Sequence, residues 1–137
     1  MTYSSNNKQK KMNNLRAFYA KITELKNQFK LDFTFDSIDL IGHEIEQTFH
    51  FSKSNKDPRK QSKIYGLFIG QCIVEELNAE WMVKEDIYQS LININNSIYI
   101  NPFEIAYNYI VDNDKALNLS YLKESLLDLL NLEETEA

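Results

Sequence analysis

The sequence predicts an α+β domain: three helices, a small antiparallel sheet with a hairpin, then two helices. Three observations carry that prediction. Apolar residues recur every three or four positions across 9–29, 37–51 and 60–77, the period of helices with buried faces. Between 80 and 100 the pattern turns to alternation, with Asn95-Asn96 set between Ile92/Ile94 and Ile98/Ile100. Immediately afterwards Asn101-Pro102-Phe103-Glu104 opens a new helix. At 137 residues, 43% hydrophobic and 12% aromatic, with 3 Gly and 2 Pro, the chain suits a single domain over 1–137 with a packed core.

Each element has its own signal. Residues 1–8 are polar and are expected to fray. From Gln9 to Phe29 the stripe Met12, Leu15, Tyr19, Ile22, Leu25 and Phe29 marks the first helix, as core packing or alternatively as a coiled-coil seam. Leu31 to Phe35 connects it to a second helix, Ser37 to Phe51, with Asp36 as the expected N-cap and Ile38, Ile41, Ile45 and Phe49 on the buried face. Ser52 to Ser62 is polar, basic and contains Pro58, so it reads as an exposed, partner-facing loop.

The third helix, about Lys60 to Leu77, is apolar around nearly its whole circumference, as a central helix is. Gly66 and Gly70 lie one turn apart inside it. Each costs about 1 kcal/mol relative to alanine, a cost that makes sense if a backbone or a large ring approaches that face. Trp81 and the aromatics of the first helix are the candidate neighbours. Strand signals follow at Glu80–Val83, Ile87–Ile94 and Ser97–Ile100, and Asn95-Asn96 suits the positive φ of a type I′ turn. In the next helix Asn101 is the cap, Pro102 the first residue, and Phe103, Ala106, Tyr107 and Ile110 the apolar face. Asp112-Asn113-Asp114 ends it. Leu119, Leu122, Leu126, Leu129 and Leu130 mark a last helix to about Leu132, with a frayed tail over 133–137.

Composition narrows the function classes. The longest apolar run, Ile64 to Gly70, is far short of the roughly 20 residues that span a bilayer. The polar N-terminus has no apolar segment behind it, so a cytoplasmic location is expected, without membrane contact. The lone Cys72 excludes an internal disulfide and a cysteine-based zinc cluster. His43 and His50 are about 10.5 Å apart along one helix, too far for easy chelation, so no metal or other cofactor is expected. Cys72 sits among Ile69, Ile73 and Val74, where it behaves as a small apolar residue rather than a nucleophile. Nucleic-acid binding is not expected from a chain of net charge −5.

That charge is unevenly spread. Residues 1–30 hold seven Lys/Arg against one Glu, whereas residues 64–137 hold three lysines against thirteen acids. Such polarity steers a charged partner towards one face. Glu75, Glu76, Glu80, Glu85 and Asp86 are the candidate partner-binding residues, forming an acidic surface beside Trp81.

The segment Tyr65-Gly66-Leu67-Phe68-Ile69-Gly70-Gln71, then Leu77-Asn78-Ala79-Glu80-Trp81, Asn101-Pro102-Phe103 and the late leucine helix, resembles a family of small uncharacterised bacterial domains. The resemblance covers about Phe33 to Leu132. Members favour an acid after the second glycine, where this chain has Gln71, so any role of that acid does not carry over. The resemblance implies an α+β bacterial domain without an established enzymatic activity, some members being immunity- or effector-associated. The leading expectation is therefore a non-enzymatic protein-interaction domain, specifically an immunity protein neutralising a toxin. The alternatives are a chaperone or adaptor for a secreted effector, and a small hydrolase using Glu75 or Glu80.

Overall fold

The computed structural model describes the backbone of residues 2–50, 56–111 and 122–128, with side chains from Arg16 onward within those ranges. The order is α1 (Thr2–Phe29), α2 (Phe35–Ile45), a π-helical turn (Glu46–His50), α3 (Pro58–Leu77), β1 (Glu80–Met82), a 3-10 turn (Ile87–Gln89), β2 (Leu91–Ile94), β3 (Ile98–Ile100), α4 (Pro102–Val111) and α5, residues 122–128. This is the α+β order that the sequence predicts, helices before and after a small antiparallel sheet.

Several boundaries differ, each for a local reason. α1 begins at Thr2, so the stretch expected to fray is helical. It contains neither Gly nor Pro, and nothing stops a helix from propagating through it. The N-cap of α2 is Thr34, not Asp36: its hydroxyl accepts from Ser37 N at 3.3 Å. α3 begins at Pro58, inside the expected loop. Asp57 caps it by accepting from Arg59 N at 3.0 Å, and Pro58 fills the first helical position. Part of the expected strand 87–94 is instead the 3-10 turn, capped by Asp86 through Tyr88 N at 3.1 Å. Asp112–Asp114, Leu119, Leu129, Leu130 and the tail 133–137 lie outside the described residues.

The sheet order is β1-β2-β3, with Trp81 opposite Ile92 and Ile92 opposite Ile100. Paired residues share a face, so Trp81, Ile92 and Ile94 point to the core, while Glu80, Met82, Asn93 and Tyr99 point away. The β2–β3 turn has Asn95 at φ 55° and Asn96 at φ 60°, the two positive values of a type I′ turn. At α4, Asn101 Oδ1 accepts from Phe103 N at 3.0 Å and Glu104 N at 3.1 Å.

α3 is the axis of the molecule. Tyr65, Leu67, Phe68, Ile69, Cys72 and Ile73 are all buried, as the all-round apolar pattern requires. The glycine pair admits two neighbours. A Cβ on Gly70 would sit 2.6 Å from Cζ2 of Trp81 and 3.0 Å from Pro102, so Trp81 is the expected ring. One on Gly66 would sit 2.6 Å from the Cα of Phe103, so that neighbour is the α4 backbone rather than an aromatic of α1. α1 contributes at one remove, Phe18 meeting Trp81 edge-on at 4.9 Å. Tyr109, not Tyr107, completes the buried face of α4 with Phe103, Ala106 and Ile110.

Candidate functional site

The Gly66–Phe103 contact sets α4 against α3 in opposite directions: Pro102 lies at Gly70, Phe103 at Gly66, and one turn further along α4 Tyr107 reaches Arg59. Between these helices and the 3-10 turn lies a cleft of about 480 Å³. Its charged lining is Arg59, Lys63 and Lys84 against the single acid Glu104. The Arg59 guanidinium lies 3.8 Å from the centre of the Tyr107 ring, and Lys63 Nζ lies 4.6 Å from that of Tyr88. Both cations rest on ring faces, which hold them in place without neutralising them.

A second hollow of about 260 Å³ adjoins the first and shares Lys63 and Tyr88 with it. It adds Lys21 from α1 and Lys60 from α3 around Ile64 and Leu67. Among the described residues none of Lys21, Arg59, Lys60, Lys63 or Lys84 is ion-paired with a carboxylate. Two lysines elsewhere are matched: Lys26 with Asp32 at 3.8 Å, and Lys123 with Asp39 at 2.7 Å and Asp36 at 3.0 Å. The two aspartates push the Lys123 ammonium above its ordinary value.

The five acids singled out in the sequence are not gathered in one place. Glu76 accepts from Phe35 N at 3.2 Å, tying the first turn of α2 to the end of α3. Glu75 receives the amide of Gln71, whose oxygen in turn accepts from Trp81 Nε1 at 2.8 Å. Glu80 pairs in register with Asn93, near the hairpin tip, and lines a shallow polar recess with Asn78, Asn95 and Asn96. Glu85 and Asp86 lie beyond the opposite end of β1, and Asp86 is the cap already described. Glu80 and Glu85 are exposed.

The histidines are drawn into a separate network. Tyr109 donates its hydroxyl to Glu46 at 2.5 Å, and His50 Nε2 meets the Tyr109 carbonyl at 2.8 Å. Read as a donor, that imidazole bonds a carbonyl in the last described turn of α4. His43 lies 3.6 Å from Glu46. Burial, followed by the hydrogen bond to Glu46, raises the Tyr109 phenol above its ordinary value. Cys72 is fully buried and its thiol is pushed up by desolvation, then by Glu75 and Glu76, the opposite of what a nucleophile requires. Among the described residues no group of three or more His, Cys, Asp or Glu could hold a metal ion, and no helix is long and apolar enough to cross a membrane.

The sequence singles out the 52–62 stretch as partner-facing but does not reach the cleft. Asp57-Pro58, taken as cap and first helical residue, places Arg59 and Lys63 one turn apart on a single helix face. Tyr107 and Tyr88 carry no comparable local signal. Compared with family models, with curated proteins and with solved structures, the chain matches none.

Proposed function

We propose that this chain is a non-enzymatic protein-interaction domain, an immunity protein of the kind that binds a bacterial toxin and blocks it. The observation that carries the reading is the gathering of exposed cations around one concave site. Glu76, Asp57, Asp86 and Asp39 are engaged inside the molecule, whereas the exposed cations around the Lys63–Tyr88 pair meet no carboxylate among the described residues. Fixed, uncompensated charge in a concave site costs stability and is useful when a complementary surface arrives. Among the described residues the cleft lining holds no nucleophile paired with a base, which favours binding over turnover. Of the two charged surfaces, the basic cleft is the more economical choice of interface.

The test is genetic and biochemical. The product of the gene adjacent to this one is expressed alone and together with this chain. The reading expects growth arrest in the first case, recovery in the second, and a stable complex on gel filtration. A neighbour that is harmless alone and elutes separately overturns it.

A further inference from the structure

We propose that the two hollows flanking the Lys63–Tyr88 pair form one docking channel for an extended acidic segment of a partner protein, with carboxylates on the cations and an apolar side chain over Ile64 and Leu67. The inference rests on the protein-interaction reading above and specifies the chemistry of what binds. Three features of the channel select that chemistry.

First, the positive charges are distributed rather than focused. Lys21 comes from α1, Lys60, Lys63 and Arg59 from α3, and Lys84 from the segment after β1. A row of separated cations suits several carboxylates carried on one chain. Second, Arg59 lies against Tyr107, an arrangement that holds its fork in place and suits bidentate recognition of a carboxylate. Third, the backbone donors that would cradle a phosphate are already committed. The first-turn N–H of Arg59 is bonded to Asp57, and those of Phe103 and Glu104 are bonded to Asn101. Asp57 also brings negative charge to the start of α3, where a phosphate would otherwise be favoured. The apolar floor at Ile64 and Leu67 gives a peptide a further contact that an inorganic anion could not use.

The experiment uses the full chain and a fluorescein-labelled peptide, Asp-Glu-Leu-Glu-Asp-Leu, followed by fluorescence polarisation. Saturable binding is expected, weakening as salt is raised to about 0.5 M. The exposed double variant Arg59→Gln/Lys63→Gln is expected to raise Kd about tenfold or more, while the distant Lys30→Gln leaves it within about twofold. Circular dichroism confirms that each variant remains folded. Absence of peptide binding, equal binding of a Lys-Lys-Leu-Lys-Lys-Leu peptide, or indifference to the double variant overturns the inference. So does displacement of the acidic peptide by inorganic phosphate at equal concentration, or preferential binding of a single-stranded oligonucleotide. The double variant also separates this inference from the function above. If it still rescues growth with undiminished complex formation, the interaction stands and the channel is not its site.

Discussion

The two halves of α3 have the same helical geometry and opposite fates. From Gly66 to Leu77 the helix is enclosed on several sides, and neighbouring atoms come close enough to leave no room for a methyl group. From Pro58 to Lys63 the exposed positions carry cations, two of them laid on tyrosine rings beside open solvent. One half holds α4 and the sheet in place, and the other presents what that packing brings together. A site can therefore depend on residues that never touch its ligand: Gly66 sets how closely Phe103 approaches, and Phe103 sets where Tyr107 meets Arg59.

The largest effect is expected from filling the closed half. Gly66→Ala should destabilise the fold by roughly 2–3 kcal/mol, measured by urea denaturation. Helix propensity alone predicts the opposite sign, a gain of about 1 kcal/mol, so a more stable G66A protein would show that α4 does not approach as described. Gly70→Ala should cost less, because its obstacle is a ring rather than backbone. Trp81→Phe removes both the outer ring and the hydrogen bond to Gln71, and should cost about 1–2 kcal/mol. Combined with G70A it should cost less than the sum, because the smaller ring leaves space for the added methyl. Strict additivity would mean that the two residues are not in contact.

A smaller effect concerns protons. The Cys72 thiol and the Tyr65 and Tyr109 phenols are all raised by burial, and Lys123 by its aspartates. Below the ordinary values the thiol and phenols are neutral in both states and contribute no pH dependence. Above them the unfolded chain releases protons that the folded chain keeps. Lys123 acts in the same direction, since its stabilisation is present below the ordinary lysine value and is lost as pH rises through the raised one. Together these four groups should make stability fall from about pH 9 upward. Tyr109→Phe removes one contributor and should make that fall shallower. A stability that climbs between neutral and alkaline pH would contradict the burial assigned to these groups.

How much could be read from the sequence follows the same divide. The closed half and the elements around it are encoded locally: Asn95-Asn96 announces its positive φ values, Asn101-Pro102 its cap, and the glycine pair its close neighbours, Trp81 included. Phe103 as the neighbour of Gly66 is a contact between residues far apart in sequence, and no spacing rule reaches it. The cleft is harder still, because Arg59 meets Tyr107 only through the antiparallel contact of α3 with α4, and Lys63 meets Tyr88 only where the 3-10 turn packs beside them. Counting charges drew attention to the acids, yet a count carries no record of partners. Glu76 and Asp86 turn out to serve as caps, while among the described residues the cations around the cleft meet no carboxylate.

The gentlest test is applied to the open half. Arg59→Gln and Lys63→Gln, singly, should change stability by no more than about 0.5 kcal/mol in urea, because each gives up a ring contact while relieving repulsion between neighbouring cations. Added salt should stabilise the original chain slightly more than either variant, since screening relieves the same repulsion. A loss of 2 kcal/mol or more, comparable with the glycine substitutions, would mean that the cation–ring contacts hold α4 in place. The two ends of α3 would then share one structural task, and the cleft would lose its standing as a surface kept free for a partner.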